Sequence, residues 1–260
     1  MTRGTASPGV HVSPRRTVLI LGATSAIAQT VSREFARQGY DLLLAGRNPE
    51  ELHGLAADLA LRYGVKVEGR TFDALALETH GAFVEACRKT SEGSLAGAVL
   101  CFGYLGDQSI AQEDLSEAKR ILDTNLLGAV SILSLLANHF EEKRNGFICA
   151  LSSVAGDRGR QSNYVYGAAK AGLTVFLQGL RNRLFSSGVR VVTIKPGFVD
   201  TQMTYGRPGL FLVASPETAA RHIVNATLKG KDQAYVPRFW WPLMLLIRLI
   251  PEKLFKRMRL

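Results

Sequence analysis

Residues 17–48 read TVLILGATSAIAQTVSREFARQGYDLLLAGRN, and this stretch decides the fold. Residues 17–21 form an apolar, β-branched run that predicts a buried parallel strand, and Gly22 interrupts it. Residues 26–38 then carry apolar side chains at helical spacing, and a second buried strand is predicted at 41–45. Strand, tight turn, helix and strand in this order predict a βαβ unit.

The chain repeats this alternation as far as residue 236. Strands are predicted at 17–22, 41–46, 65–71, 97–102, 147–152, 189–195 and 234–236. Helices are predicted at 26–38, 49–63, 75–92, 113–143, 163–187 and 216–229. A chain of 260 residues, 47% of them apolar, can bury one full core. We therefore expect a single α/β domain over residues 17–237, built as a doubly wound parallel sheet, with a loose arm at 1–16 and a tail at 238–260.

The turn after the first strand suits a phosphate group. A helix that begins there points free backbone N–H groups and the positive end of its dipole at the space above the turn, where a pyrophosphate fits. The second strand ends at Gly46 and Arg47, where a dinucleotide-binding fold places the adenosine ribose. No carboxylate stands there to accept from a ribose 2′-hydroxyl, whereas the Arg47 guanidinium suits a 2′-phosphate. These residues predict NADP(H) as the cofactor; the alternative is that Arg47 is a solvated loop charge.

A second informative stretch, residues 151–170, reads LSSVAGDRGRQSNYVYGAAK. Tyr166 and Lys170 are four residues apart, so a helix places the phenol and the ammonium on one face. Free tyrosine has a pKa near ~10, and an adjacent cation favours phenolate and lowers that pKa. Ser153, thirteen residues before the tyrosine, is suited to hold a carbonyl oxygen while Tyr166 protonates it. The alternative is a chance spacing, since Y-x-x-x-K occurs in many helices.

Taken together, these motifs resemble the short-chain dehydrogenase/reductase family, in the family's order and over roughly residues 15–236. The resemblance implies a Rossmann-like fold and the catalytic residues Asn125, Ser153, Tyr166 and Lys170. Besides Arg47, the resemblance implies a set of cofactor-binding residues: Gly22, Thr24, Ser25, Ala26, Ile27, Asp73, Gly103, Asn125, Tyr166, Lys170, Pro196, Gly197, Val199 and Thr201.

The resemblance also implies a reaction. It is the transfer of hydride between nicotinamide and a carbonyl carbon, by an NADP-dependent oxidoreductase acting on CH–OH or C=O. Tyr166 is expected to supply the proton and Ser153 to hold the oxygen. Lys170 is expected to lower the pKa of the tyrosine and bind the ribose, and Asn125 to anchor a water of the proton relay.

Two departures from the family pattern affect the cofactor site. Ala26 and Ala28 replace the second and third glycines of the turn, which predicts weaker pyrophosphate binding but not its loss. Residues 100–102, Leu-Cys-Phe, replace the family's Asn-Asn-Ala before Gly103, so apolar packing is expected to replace polar support at that sheet edge.

Cysteine and histidine usage points away from metals and disulfides. The three cysteines, Cys87, Cys101 and Cys149, lie in apolar contexts, and their number and spacing do not suggest disulfide pairs. This indicates core packing in a reducing, cytoplasmic compartment. For Cys101, which lies near the expected cofactor site, the alternative is a reactive thiol. The histidines lack the mutual spacing of metal ligands, so no metal is expected.

The tail is not explained by the family's core motifs. Residues 239–250 are apolar apart from Arg248, and Pro251 ends a segment far too short to span a bilayer, which needs ~20 residues. Four cations gather beyond it, Lys253, Lys256, Arg257 and Arg259. An apolar rod with tryptophans and a basic end predicts a helix on an anionic membrane surface. The alternative is a helix that covers the substrate pocket or a dimer seam.

Partners and substrate are predicted less specifically. The net charge of +10 comes without a nucleic-acid reading motif, so no nucleic-acid partner is expected. Family relatives pair through helices equivalent to 113–143 and 163–187, which implies a homo-oligomer. The tail, the apolar residues 102–106 and the altered turn resemble the branch that reduces a keto-sugar on a polyprenyl phosphate. A lipid-linked 2-keto-pentose is thus the first expected substrate; the alternatives are a soluble or acyl-chain ketone, or a non-catalytic NADP-binding scaffold.

Overall fold

A computed structural model describes residues 15–201 and 213–258 of the chain. Seven parallel strands form one sheet within these residues, in the order β3-β2-β1-β4-β5-β6-β7. The strands are β1 Thr17–Leu21, β2 Asp41–Gly46, β3 Val67–Thr71, β4 Leu95–Leu100, β5 Phe147–Leu151, β6 Arg190–Pro196 and β7 Gln233–Val236. The helices are α1 Ala26–Arg37, α2 Pro49–Tyr63, α3 His80–Thr90, α4 Gln108–Ala111, α5 Leu115–Leu122, α6 Gly128–Lys143, α7 Tyr164–Leu184, α8 Pro216–Leu228, α9 Trp240–Leu249 and α10 Glu252–Phe255.

The central strands are buried on both faces, as their continuous apolar runs predict. All five residues of β1 are buried, and alternate side chains enter opposite cores. Val18 and Ile20 join the core that contains residues of α1 and α8, whereas Leu19 and Leu21 join the core that contains residues of α6 and α7. The predicted single-domain, doubly wound parallel sheet is therefore confirmed.

The strand order places the site. It reverses between β1 and β4, so the helices that follow these strands pass on opposite sides and leave a crevice at the carboxyl ends of the strands. The residues predicted to bind cofactor after β1, β2, β3 and β4 all lie at this edge.

The helix boundaries differ from the sequence prediction in three places. A 3₁₀ turn at Leu77–Thr79 precedes α3, and the short α4, capped by the Asp107 carboxylate, was not expected. The helix predicted at 113–143 is divided by a π-helical turn, Asp123–Leu127, between α5 and α6. Residues 1–14 of the predicted arm, most of the loop at 198–215 and the tail cation Arg259 lie outside the described residues.

The tail folds onto the domain along one face. Helices α9 and α10 meet at Pro251, as the sequence predicts. Trp240 and Met244 are buried in a cluster with Val154 and Tyr235. Because the last strand predicted from the sequence ends at residue 236, the core is expected to fold without residues 239–260. The burial of these two side chains changes that expectation, since deletion of the tail uncovers an apolar cluster.

Candidate active site

Ser153, Tyr166 and Lys170 come together at the carboxyl end of β5. The chain leaves β5 at Leu151, and the Ser153 hydroxyl caps a 3₁₀ turn, Val154–Gly156, by accepting from the Ala155 N–H at 3.1 Å. Tyr166 and Lys170 lie one turn apart on α7, both buried, and the Tyr166 phenol is hydrogen-bonded to the Ser153 side chain. The predicted serine and tyrosine are therefore in direct contact.

Lys170 is held beneath the tyrosine by the backbone of β5. Its Nζ donates to the Leu151 carbonyl at 3.0 Å and lies 5.7 Å from the centroid of the Tyr166 ring. Burial lowers the pKa of Lys170 to about 8, with the Cys101 thiol acting weakly in the opposite direction. With this pKa, Lys170 is mostly protonated at pH 7 and loses its charge as the pH rises past about 8.

The pKa of Tyr166 shifts opposite to the sequence expectation. Burial raises it to about 12, and the hydrogen bond from Ser153 opposes that rise. Lys170 was expected to lower the tyrosine pKa, but desolvation of the buried phenolate is the larger effect. The phenol is consequently protonated at neutral pH.

Asn125 connects the π-helical turn to the loop after β4. Its Nδ2 donates to the Ile121 carbonyl at 2.8 Å and to the Tyr104 carbonyl at 2.5 Å, and its Oδ1 accepts from the Tyr104 N–H at 3.2 Å. A Cβ added at Gly103 would lie 2.9 Å from Asn125 Oδ1 and 3.4 Å from Lys170 Nζ. The loop backbone thus passes close to both side chains, which only glycine permits.

The turn after β1 has the shape of a phosphate cradle. Gly22 has φ +80°, and a Cβ there would lie 2.7 Å from the Phe102 backbone nitrogen. Ser25 caps α1 by accepting from the Ala28 N–H at 3.3 Å. The first-turn N–H groups of Ala26 and Ile27 have no acceptor within a helix and so face the crevice edge. Thr24 is half-buried beside them, and Ala26, also half-buried, adds only a methyl group to the rim.

Arg47 and Asp73 lie farther along the same edge. A Cβ added at Gly46 would lie 3.6 Å from Thr24 Cγ2, so the end of β2 contacts the turn. Arg47 follows with its side chain exposed. The Asp73 carboxylate, after β3, accepts from the Leu75 N–H at 3.0 Å. These positions fit a dinucleotide whose pyrophosphate lies over the turn and whose adenosine lies toward β2 and β3.

The loop after β6 is covered by the tail, which the sequence motifs did not show. The Gly197 N–H donates to the Val236 carbonyl at 2.9 Å, after the buried Pro196. A Cβ at Gly197 would lie 1.9 Å from Nε1 of Trp240, so the indole occupies the space beside the glycine. The loop continues through a bridge between Val199 and Ala214. It passes the half-buried Thr201 before leaving the described residues.

A buried polar cluster beside Ser153 was also missed by sequence reasoning. Asp157 Oδ1 pairs with Lys195 Nζ at 2.5 Å, and the Tyr235 hydroxyl donates to Asp157 Oδ2 at 2.8 Å. Burial, then the Asp157 hydrogen bond and charge, raise the pKa of Tyr235. The sequence contained one sign of this cluster: Lys195 lies inside a predicted buried strand, and a buried ammonium requires a partner.

The cysteine side chains behave as small core residues. Burial raises the pKa of the Cys87 and Cys149 thiols to about 12 and raises that of Cys101 as well. A raised pKa leaves little thiolate, so the reactive alternative for Cys101 is not favoured. Among the described residues, no group of three histidine, cysteine, aspartate or glutamate side chains is placed to hold a metal ion.

Comparison with known proteins identifies the family. The family described as short chain dehydrogenase matches residues 16–208. The chain belongs to this family. An uncharacterized oxidoreductase of Mycobacterium tuberculosis is 38% identical over 241 residues, covering 93% of this chain and 96% of the relative. An uncharacterized oxidoreductase of Streptomyces coelicolor is 34% identical over 246 residues, covering 94% and 96%.

A solved structure supports the same assignment. The short-chain dehydrogenase from Sphingobium yanoikuyae in complex with NADPH superposes with a TM-score of 0.78 at 25% identity, covering 91% of this chain and 97% of that one. The protein is therefore a short-chain dehydrogenase, an NAD(P)-dependent oxidoreductase acting on CH–OH or C=O groups. The family predicted from the sequence motifs is confirmed.

Proposed function

We propose that this protein is an NADPH-dependent carbonyl reductase in which Tyr166 donates the proton. The observation that carries this proposal is the convergence of Ser153, Tyr166 and Lys170 at one end of β5, with the Gly103 backbone beside Lys170. When bound, the nicotinamide cofactor supplies the hydride. The protein orients the carbonyl and holds the proton.

The side chains divide these tasks. Tyr166, with a pKa of about 12, carries its proton at neutral pH and so serves as the donor. Ser153, already hydrogen-bonded to Tyr166, is placed to hold the same oxygen. Asn125 fixes the loop at Gly103 and anchors a water that returns the proton. Lys170, held at the Leu151 carbonyl, presents its ammonium to the ribose.

The proposed cofactor preference rests on Arg47. Its exposed side chain follows β2 at the position of the adenosine ribose, and the solved relative from Sphingobium yanoikuyae binds NADPH. An arginine fork can bind a 2′-phosphate through charged hydrogen bonds, which NADH cannot accept.

Arg47→Ala should weaken NADPH binding by about 1.5–3 kcal/mol, the range for a hydrogen bond to a charged group, and leave NADH nearly unchanged. Titration of nucleotide fluorescence measures both dissociation constants. Arg62→Ala is the matched control, because Arg62 is an exposed arginine that pairs with Asp58 on α2. Equal weakening of NADPH and NADH, or an unmutated protein that prefers NADH, would contradict the assignment.

The proposed substrate class is a lipid-linked 2-keto-pentose. Its support is the family branch that the sequence resembles and the apolar character of the outer tail. A soluble or acyl-chain ketone is the competing substrate. NADPH oxidation measured with a lipid extract beside a panel of water-soluble ketones separates these classes, with mass spectrometry of the reduced product. Binding of NADPH without turnover in any of them would favour the non-catalytic scaffold.

We also propose a peripheral membrane contact on the cytoplasmic face, through the outer surface of the tail. This surface consists of exposed apolar side chains, Trp241, Leu245, Leu246, Leu249, Leu254 and Met258. The exposed cations Lys253, Lys256 and Arg257 border it. Apolar area flanked by cations matches the interface of an anionic bilayer. The inner surface packs against Gly197 and Val154. The alternative, a helix that covers the substrate pocket, therefore concerns the opposite face of the same segment.

Leu246→Glu with Leu249→Glu should weaken binding to phosphatidylglycerol vesicles by roughly 100-fold, because each buried leucine contributes about 1.5–3 kcal/mol. Vesicle flotation measures the effect, and rising salt should weaken the unmutated protein too. Leu61→Glu is the control, since Leu61 is an 87% exposed leucine on α2, away from the tail. A protein that fails to float at any ionic strength has no such contact.

A further inference from the structure

The segment between Ser153 and Tyr166 is attached to the tail by Arg158. The Arg158 Nη2 pairs with Glu252 Oε2 at 2.7 Å, and its Nη1 donates to the Arg248 carbonyl at 3.3 Å. The guanidinium also lies 4.3 Å from the centroid of the Phe255 ring. One side chain thus contacts both α9 and α10.

These contacts differ in strength. The Arg158 side chain is 19% exposed, but Glu252 is 76% exposed, so solvent screens the ion pair. Phe255 is buried, so the guanidinium stacks on a ring that is itself fixed in place. The stack and the backbone hydrogen bond are therefore the durable part of the attachment.

Two further contacts join the same segment to the tail. The Arg160 Nη2 donates to Met244 Sδ at 3.4 Å, and Val154 packs in one cluster with Trp240 and Met244. The tail therefore meets the segment on both sides of Asp157.

Regular structure does not hold the whole segment. Up to Asp157 it is fixed by the domain: a Cβ at Gly156 would lie 2.7 Å from the Ala171 backbone nitrogen of α7, and Asp157 pairs with Lys195. Residues 158–163 form neither helix nor strand before α7 begins. Within that stretch, Arg158 and Arg160 supply the contacts with the tail described above.

We propose that Arg158 is a positioning residue for the reaction: by joining residues 158–163 to α9 and α10, it fixes the stretch through which the Ser153 turn continues into the helix that carries Tyr166. This inference rests on the proposed catalytic roles of those two residues. It makes the tail part of the wall of the active site, in addition to any contact its outer surface makes. Loss of the attachment should lower turnover and leave NADPH binding nearly unchanged, because Arg158 lies on a different loop from the cofactor residues Gly22 and Arg47.

Hydrogen exchange of the full chain with NADPH tests the attachment directly. Arg158→Glu places a carboxylate against Glu252 and removes the stack, so amides of residues 158–163 should exchange about five- to tenfold faster. Arg158→Lys keeps the charge but not the planar fork and should give an intermediate rate. Exchanging the charges, with Arg158→Glu and Glu252→Arg together, should restore part of the protection. Arg88→Ala should leave these amides unchanged, because it removes an arginine of α3 that pairs with Glu85 on the same helix and with Glu142 on α6.

Kinetics with the best water-soluble ketone of the panel then separates positioning from general stability. Arg158→Glu should lower kcat about fivefold while KM for NADPH stays within about twofold, and the charge exchange should recover part of kcat. Unchanged exchange at 158–163, or faster exchange across the whole chain with KM and kcat lost together, would overturn the proposal. If the unmutated protein reduces no ketone, the proposed function fails, and the exchange rates still decide whether Arg158 orders the segment.

Discussion

Tyr166→Phe is expected to lower turnover by roughly 100-fold or more while NADPH binding persists. The substitution keeps the ring that packs in the buried cluster with Ala155 and Ile121 but removes the only proton that the phenol can transfer. Steady-state NADPH oxidation measures turnover, and nucleotide fluorescence measures binding.

Ser153→Ala serves as the companion variant. It removes an oxygen partner of the carbonyl and the hydrogen bond to Tyr166, and we expect a loss of similar order. Because Ser153 also caps the turn at Val154, its effect includes a small structural part. If Tyr166→Phe retained ordinary turnover, the assigned proton donor would be wrong, whatever the serine variant showed.

The sheet could be predicted from the sequence because its strands are buried on both faces. Runs such as residues 17–21 are continuously apolar, and short runs of this kind that alternate with helical segments are typical of a parallel sheet. The contact between Ser153 and Tyr166 followed from motif spacing and family resemblance. The four-residue helix α4 was missed because one turn is too short to show a hydrophobic period.

The inner face of the tail was not predictable in the same way. Helix α9 is apolar nearly all round, so its sequence does not indicate which side is buried. Trp240 and Met244 are covered, whereas Leu246 and Leu249 are exposed, and only the fold distinguishes them. The pKa of Tyr166 was missed for a related reason, since spacing reveals a neighbouring cation but not the extent of burial.

Lys195→Met is expected to lower the free energy of unfolding by about 3–5 kcal/mol, the cost of leaving a buried charge without its partner. Asp157 and Lys195 lie thirty-eight residues apart and meet only because the β5 loop passes over the end of β6. With the ammonium removed, the Asp157 carboxylate keeps the Tyr235 hydroxyl as a donor but loses its counter-charge. Urea unfolding followed by circular dichroism measures the change.

The double variant Lys195→Met with Asp157→Asn provides the control. It removes both charges, and the asparagine oxygen can still accept from Tyr235, so at least half of the lost stability should return. A single variant that costs less than about 1 kcal/mol would show that water reaches the carboxylate, as it does in exposed ion pairs. Because Asp157 closes the turn that begins at Ser153, the single variant should also lose turnover at temperatures well below its unfolding transition. Equal stability losses in the single and double variants would instead show that the loss comes from packing of the lysine stem, which both variants lack. The unpaired Asp157 charge, which only the single variant contains, would then contribute nothing.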